Sequence, residues 1–327
     1  MRCKDNKWVK RAQAALAGMA CALMTVSPGL AQANVNIANV PLFLTTSVDP
    51  NIMFILDDSG SMHWEIMPDQ HISNAAYYVY GRIDNLYSSG NYTDRAPTFA
   101  DDPYNAFARS PVGNTVYYDP GVTYSPWPRA DGSGSMPNAN PSAALHNPMR
   151  PARGSRNLTA NNTRNGSWRR CSTITRDVSG TFNFSGCATF TATQTFWPAV
   201  YYWHDGSDGY DFSNYERVEI RSDTPFYTDH GRENRTDCAS AATATCTYDE
   251  EIQNFANWYT YYRSRILAAR GGIGLAFAEQ PENMRVGYGT INAGSSSVDA
   301  VTTEKIVRGV RAFSGADRQA FFDLLYD

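Results

Sequence analysis

A short acidic, hydroxyl-rich turn is the part of this sequence best suited to chemistry. Residues 57–61 read Asp-Asp-Ser-Gly-Ser, so that Asp57, Ser59 and Ser61 alternate along the chain. A carboxylate and two hydroxyls on one tight turn can direct three oxygens to one point, and hard divalent cations prefer oxygen ligands. The pattern is therefore a candidate site for a hard divalent cation at these three residues. The alternative is a polar turn in which Asp58 and Ser59 satisfy backbone donors.

The same turn also spells Asp-Ser-Gly-Ser after an apolar run, which is the local signature of an aspartic protease. Such an enzyme needs a second Asp-Ser/Thr-Gly segment because two carboxylates share one proton. The sequence has no second copy, and it has no Gly-x-Ser-x-Gly, phosphate-binding-loop or His-Glu-x-x-His motif. We predict that the protein is not an enzyme, with a secreted hydrolase as a distant alternative.

Three other patterns are weaker candidates for metal sites. Residues 131–135 repeat the Asp-x-Ser-x-Ser spacing, but they follow prolines rather than an apolar run, which predicts a flexible loop. Residues 205–216 have the span of a calcium loop, but Tyr210 stands where the sharp turn requires glycine. The five histidines are scattered singly, and we expect surface hydrogen bonds rather than metal ligation from them: His63, His71, His146, His204 and His230.

The elements that flank the turn indicate how it is positioned. Residues 51–56 are an apolar run, which predicts a strand buried on both faces. Apolar residues from Ile252 to Ile273 recur at spacings of three and four, which predicts one amphipathic helix that Gly271-Gly272 weakens near its end. These two elements are separated by a long segment without helical periodicity.

Two strands and a helix are predicted after that. Residues 284–290 alternate, residues 306–313 form an apolar run, and Ser314 with Asp317 predicts the capped start of a final helix. The order strand, insertion, helix, strand, strand, helix is the beginning of an open α/β sheet. Ligands gather at the carboxyl ends of strands in such sheets, which is where residues 57–61 follow the first strand.

The segment 62–250 is predicted to be a loop- and β-rich insertion. It contains 15 of the chain's 20 tyrosines and is rich in Ser, Asn and Gly. Aromatic residues among small polar ones suit a contact surface, which favours an adhesive role. The same aromatic residues could equally form the core of a loop-rich subdomain, and the sequence leaves both interpretations open.

The first 33 residues have the three-part pattern of a secretory signal peptide. Basic residues precede an apolar stretch from Ala12 to Val26, and Ala31-Gln32-Ala33 closes it. A lipoprotein anchor at Cys21 is the alternative. The remainder has no segment long and apolar enough for a transmembrane helix. Without the signal, 28 basic and 32 acidic residues become 23 and 31, and this net charge of −8 argues against a nucleic-acid partner.

The cysteines that remain after export form an even set. An even number in an exported protein favours two disulfides. Three connectivities are possible, and the local pairing, which closes short loops, is preferred. A zinc site is the competing interpretation, but the separations do not match the spacing of zinc ribbons. The four residues are Cys171, Cys187, Cys238 and Cys246.

Several segments resemble known families. Residues 51–62, NIMFILDDSGSM, resemble the first strand and metal-ion-dependent adhesion site of von Willebrand factor A domains. Other segments look like the PilY family of type IV pilus biogenesis factors and tip adhesins: NTVYYDPGVTYSPW at 114–127, FWPAVYYW at 196–203, NFANWYTYYRSRILAARGGIG at 254–274 and VRAFSGADRQAFFDLLYD at 310–327.

This resemblance implies a von Willebrand factor A-like open sheet, incomplete in this chain and interrupted by the insertion. Ser59 and Ser61 would bind the ion directly through their hydroxyls, and Asp57 directly or through water. The ion would be Mg or Ca. Such domains complete the site with a threonine, and commonly an aspartate, beyond the helix at 316–326, and the chain stops before both. Relatives also carry a carboxy-terminal β-propeller. We therefore expect this chain to be the N-terminal part of a longer protein.

The sequence patterns give the domain bounds, and the resemblance implies the location and the partners. We expect a signal peptide at 1–33, an N-terminal segment with the first strand and metal turn at 34–61, the insertion at 62–250 and the truncated continuation of the sheet domain at 251–327. The expected location is the pilus tip, cell surface or outer membrane of a Gram-negative bacterium. The expected partners are minor pilins, the pilus tip complex and a host or abiotic surface ligand. The alternative function is a structural pilus assembly factor without a working metal site.

Overall fold

Residues 48–86, 92–206 and 211–327 are described by a computed structural model of the chain. The predicted signal peptide lies outside these residues, and the unit Asp49–Asp327 contains the elements below. The strands are β1 Asn51–Leu56, β2 Ala96–Pro97, β3 Ala144–Leu145, β4 Ser155–Arg156, β5 Asn162–Arg176, β6 Phe182–Phe196, β7 Val200–His204, β8 Tyr215–Glu219, β9 Phe226–Thr228, β10 Thr245–Thr247, β11 Arg285–Thr290, β12 Ser296–Val298, β13 Val301–Thr303 and β14 Ile306–Ala312. The helices are α1 Pro103–Ala108, α2 Tyr248–Tyr261, α3 Arg265–Ala278 and α4 Gly315–Tyr326.

A three-stranded sheet carries the candidate metal turn. β1 pairs in parallel with β11, and β14 pairs antiparallel with the other edge of β11. Helices α3 and α4 cover one face, where Phe54 contacts Phe277 and Phe321 with ring centroids 5.5 and 6.3 Å apart. The fold class is therefore mixed α/β, as predicted from the order of elements, and the turn leaves the carboxyl end of β1.

The prediction that β1 is buried on both faces is wrong for the described residues. Its side chains alternate, with Phe54 and Leu56 turned towards the helices and Met53 and Ile55 on the other face. Ile55 is 51% exposed and Met53 is 38% exposed. A continuous apolar run fits a strand covered on both sides, but α3 and α4 lie on one side only.

The single helix predicted from Ile252 to Ile273 is two helices. α2 ends at Tyr261, and Ser264 begins α3 by accepting a hydrogen bond from Leu267 N–H at 3.4 Å. The apolar spacing continues across this break, so periodicity alone could not locate it. The glycine pair lies inside α3 rather than at a helix end.

The final helix begins where predicted but without the predicted cap. Ser314 is the N-cap residue of α4, yet its side chain makes no capping hydrogen bond. Asp317, in the first turn, instead forms an ion pair with Arg308 on β14. The acidic side chain therefore connects the helix to the sheet, while its charge still favours the positive end of the helix.

Within the insertion, a long hairpin is the largest element. β5 and β6 each have 15 residues and pair antiparallel, with Cys171 opposite Cys187. A disulfide joins these two cysteines, and a second joins Cys238 to Cys246 beside the β9–β10 pair. This is the local connectivity that the sequence favoured, and each bridge closes a short loop.

Many aromatic residues of the insertion are core residues. Trp127, Trp168, Tyr117, Tyr118 and Tyr201 are all at most 1% exposed. They belong to one hydrophobic cluster that also contains residues of α2, α3, α4 and the sheet. This favours the second interpretation of the composition, and an adhesive surface built from these particular rings is excluded.

Among the described residues, no helix combines the length and the apolar character that crossing a membrane requires.

Candidate metal centre

The predicted metal-binding residues lie on one turn at the carboxyl end of β1. Asp57 Oδ1 accepts a hydrogen bond from Ser59 N–H at 2.8 Å, and a 3-10 helix follows from Gly60 to His63. This helix brings the two serines together, with Ser59 Oγ 3.2 Å from Ser61 Oγ. Asp57 is exposed and both serines are half-buried. The carboxylate and the two hydroxyls therefore share one accessible turn.

The two hydroxyl oxygens hydrogen-bond each other, and their spacing is also compatible with a divalent cation. Two ligand oxygens at right angles stand about 3.0 Å apart around Mg2+ and about 3.4 Å apart around Ca2+, for metal–oxygen distances of about 2.1 and about 2.4 Å. The observed 3.2 Å between Ser59 Oγ and Ser61 Oγ lies between these values. The donor set of one carboxylate and two hydroxyls is also the hard oxygen set that these ions prefer.

The same local turn occurs at two other aspartates, whose carboxylates accept hydrogen bonds from nearby residues. Asp131 Oδ1 accepts from Ser133 N–H at 2.9 Å, which reproduces the first hydrogen bond of the candidate turn in an exposed loop. Asp177 Oδ1 accepts from the Ser179 amide, the Ser179 hydroxyl and the Thr181 amide, so it closes the β5–β6 hairpin. The local sequence thus specifies the turn, and its place after β1 distinguishes residues 57–61.

Two residues remote in sequence complete the surroundings of the turn. Asp58 Oδ1 accepts a hydrogen bond from Asn292 N–H at 2.9 Å, which ties the turn to the segment after β11. Tyr92 lies over Gly60, where a Cβ atom would be 1.6 Å from the tyrosine hydroxyl oxygen. A side chain at position 60 would therefore have to displace this ring. Neither contact has a signal in the local sequence.

A cleft of about 250 Å³ lies next to the turn at the carboxyl ends of β1 and β11. Asp58, His63, Arg270 and Thr290 are among the residues that line it. Burial and the Arg270 charge lower the pKa of His63 to about 4, against the opposing effect of Asp58. His63 is therefore neutral at physiological pH. Arg270 and Arg150, which both line the cleft, place positive charge on this side of the turn.

The expectation that the histidines are surface residues is wrong for four of them. His63, His71, His146 and His204 are each at most 9% exposed. His71 Nδ1 lies 2.7 Å from Gly113 O, and His146 Nδ1 lies 2.8 Å from the Tyr259 hydroxyl oxygen. They are buried hydrogen-bonding residues whose packing the isolated positions in the sequence did not reveal.

The other candidate metal sites were acidic clusters, the calcium-loop pattern and the cysteines. Across 48–86, 92–206 and 211–327, no three His, Cys, Asp or Glu side chains lie close enough to hold a metal ion together. The calcium-loop pattern at 205–216 contains residues 207–210, which lie outside the described residues. The four cysteines are joined in disulfides, so they are not zinc ligands here.

Comparison with known proteins indicates the biological context. The chain is 26% identical over 306 residues to the type IV pilus biogenesis factor PilY1 of Pseudomonas aeruginosa strain PAK, which covers 90% of this chain and 20% of the relative. The PilY1 of strain UCBPP-PA14 is 28% identical over 286 residues, covering 84% of this chain and 19% of the relative. The chain is similar to type IV pilus biogenesis factors.

The chain spans about a fifth of the length of the curated relatives it matches. No protein-family model matches the sequence. The comparison with solved structures found no match to the chain.

Proposed function

We propose that this chain is part of an exported, type IV pilus-associated factor that supports pilus assembly and metal-dependent surface adhesion or sensing. The observation that carries the proposal is the similarity to PilY1 across 84–90% of the chain. In this proposal the partners are minor pilins, the pilus tip complex and a host or abiotic surface ligand, and the protein acts by binding rather than by catalysis.

A von Willebrand factor A-like sheet is the second component of the proposal. Support comes from the parallel pairing of β1 with β11 and from α3 and α4 on one face. The turn at the carboxyl end of β1 occupies the position where open α/β sheets bind ligands. Only one face of β1 is covered within the described residues, and in this proposal further elements of the sheet domain would cover the other face.

The metal role follows from the chemistry of the turn. Ser59 and Ser61 would hold Mg2+ or Ca2+ through their hydroxyls, which lie 3.2 Å apart, and Asp57 would hold it directly or through water. A bound divalent cation would supply an electrophilic centre able to accept a carboxylate from a partner. The exposed position of Asp57 leaves this side of the turn open to such a partner.

A double substitution tests the metal role. We expect Ser59→Ala with Ser61→Ala to weaken Mg2+ and Ca2+ binding at least tenfold, because two of three proposed ligands are lost. Isothermal titration calorimetry on the purified full chain measures this, and thermal unfolding reports whether the fold is retained.

The matched control is Ser133→Ala with Ser135→Ala. It removes two hydroxyls from the same Asp-x-Ser-x-Ser spelling in the exposed loop that starts at Asp131. This control should bind metal as the unmodified protein does. Equal metal binding by the Ser59/Ser61 variant and the unmodified protein would show that the turn is not the site.

A structural assembly factor without a working metal site is the second candidate. The hydrogen bonds that favour it are Ser59 N–H to Asp57 Oδ1 and Asn292 N–H to Asp58 Oδ1, since both carboxylates then satisfy backbone donors. In that role the turn holds the sheet end while other surfaces engage minor pilins. Sensitivity of pilus assembly to metal removal separates the two candidates.

A further inference from the structure

Glu65, four residues after Ser61, connects the metal turn to the rest of the molecule. It is 4% exposed, and both its backbone and side-chain groups are hydrogen-bonded. The distances lie between 2.7 and 2.9 Å. The partners are Tyr77 O, Asn114 Nδ2, Arg263 Nε and Val79 N. One residue therefore joins the turn to three segments distant in sequence.

The Arg263 side chain is the charged partner in this arrangement. Its Nε lies 2.8 Å from Glu65 Oε1, and both side chains are at most 5% exposed. The other guanidinium nitrogens donate to Tyr259 O and to His146 O. Arg263 lies in the short connection between α2 and α3, so the ion pair fixes residue 65 to the junction of these helices.

Neighbouring contacts strengthen the same connection. Trp64 O accepts a hydrogen bond from Arg265 N–H at 3.1 Å, at the first residue of α3. The Trp64 ring stacks on Tyr77 with centroids 4.3 Å apart, and the Arg265 guanidinium lies over the same ring. Residues 64 and 65 thus lie between the insertion on one side and the start of α3 on the other.

The 3-10 helix that carries Ser61 depends on this connection. It is four residues long and is held by Met62 N–H to Ser59 O and by Trp64 N–H to Ser61 O. So short a helix has little stability of its own, and its position follows from the residues on either side. Ligand groups must keep their positions to within about 0.5 Å for effective binding.

We propose that Glu65 and Arg263 are positioning residues for the metal turn, and that through them the insertion and the α2–α3 junction set the alignment of Ser59 with Ser61. This inference rests on the proposed metal role of the turn. Removing one partner of a buried ion pair leaves an uncompensated charge, so the segment must shift or admit water. A displacement of the insertion would move the turn through the same contacts of Glu65.

The variant Glu65→Gln tests the proposal because it keeps the side-chain size and removes the charge. We expect its dissociation constant for Mg2+ or Ca2+, measured by titration calorimetry on the full chain, to rise at least fivefold. Hydrogen exchange provides a readout without metal. The amides of Met62 and Trp64 should exchange at least tenfold faster than in the unmodified protein.

The control is Glu251→Gln, which neutralises another buried acid. Glu251 is 0% exposed and pairs with Arg232 and Arg235 in the insertion. It should lower the melting temperature while leaving metal affinity and the exchange of the turn amides within twofold of the unmodified protein. If Glu251→Gln changed the turn as much as Glu65→Gln, a general loss of stability would explain both and the proposal would be overturned.

The outcomes separate this inference from the proposed function. If the unmodified protein binds no metal, the metal role fails, and exchange of the turn amides alone decides whether Glu65 positions the turn. If the protein binds metal and Glu65→Gln matches it in affinity and exchange, the positioning role is wrong. Should Glu65→Gln fail to fold, Arg263→Lys keeps the charge but loses the fork to Tyr259 O and His146 O, and the same two measurements apply.

Discussion

Buried histidines illustrate how side chains outside the candidate site affect the whole molecule. His146 is 9% exposed and its Nδ1 lies 2.8 Å from the Tyr259 hydroxyl oxygen. Burial, together with the charges of Arg263 and Arg156, lowers the pKa of His146 to about 3. Its imidazole therefore stays neutral in the folded state at pH values where it would be protonated in the unfolded chain.

Folding stability should consequently fall as the pH is lowered. Above pH 6.5 His146 is neutral in both states and has no effect on the pH dependence. Between pH 6.5 and about 3 the unfolded state binds a proton that the folded state does not, so the free energy of unfolding falls by up to about 1.4 kcal/mol per pH unit. Urea unfolding from pH 7.5 to pH 4.5 measures the slope.

A substitution assigns this slope to one residue. His146→Asn retains a polar group near Tyr259 but cannot titrate, so its free energy of unfolding should decline less steeply below pH 6.5 than that of the unmodified protein. The two proteins should show parallel pH dependence above pH 7. Parallel curves over the whole range would contradict the assignment to His146.

At the level of elements, the paired glycines of α3 have opposite surroundings. A Cβ atom at Gly271 would lie 2.7 Å from Tyr262 Cε1 and 2.9 Å from Trp127 Nε1. A Cβ atom at Gly272 would meet no atom within 4 Å. Gly271 thus allows α3 to approach the aromatic core. Gly272 lowers the helix propensity of α3, and no close contact requires glycine there.

Alanine substitutions at the two positions should therefore have opposite effects on the free energy of unfolding. Gly272→Ala should raise the free energy of unfolding by about 0.5–1 kcal/mol, because alanine costs less backbone entropy in a helix. Gly271→Ala should lower it by about 1–3 kcal/mol, because the added methyl group overpacks the core beside Trp127 and Tyr262. Denaturant unfolding of the two variants measures both. A destabilised Gly272→Ala variant would show that this face of α3 is constrained.

At the level of the whole molecule, the insertion and the sheet share one core. The hydrophobic cluster includes Leu56 on β1, Trp168 on β5, Trp258 on α2 and Phe321 on α4. The ion pair of Glu65 with Arg263 joins residues 198 positions apart in the sequence. The insertion therefore packs against the sheet that carries the candidate metal turn. A structural change in the insertion is expected to alter the turn in such an arrangement.

Metal removal tests the proposed function in the cell. In a strain whose pili depend on this gene, chelation of divalent cations should reduce pilus-mediated attachment severalfold. A strain carrying Ser59→Ala with Ser61→Ala should show this reduced attachment before chelation, and chelation should lower its attachment little further. Surface pili counted by electron microscopy and adherent cells counted after washing provide the measurements.

The same experiment distinguishes the structural alternative. The Ser133→Ala, Ser135→Ala strain is the control and should respond to chelation as the unmodified strain does. Pilus number and attachment that stay constant under chelation, in every strain, would favour an assembly factor whose turn has only a structural role.

Much of the fold could be predicted from local patterns. The strands at 51–56 and 285–290 and the start of α4 at Ser314 follow from runs and alternation that neighbouring residues encode. The turn at Asp57 was predictable too, since an Asp followed by Ser two positions later forms the same hydrogen bond in the Asp131 loop. The break between α2 and α3 was not, because the apolar spacing continues through it.

The sequence by itself determined the residue types of the candidate site, their place after the first strand, the even set of cysteines and the α/β order. Each depends on residues close together in the chain. Only the tertiary structure decided that many aromatic residues of the insertion are core, that four histidines are buried, and that Glu65 pairs with Arg263. Burial and ion pairing depend on which distant segments meet, and the free energy of bringing them together is a property of the whole packed chain rather than of any local pattern.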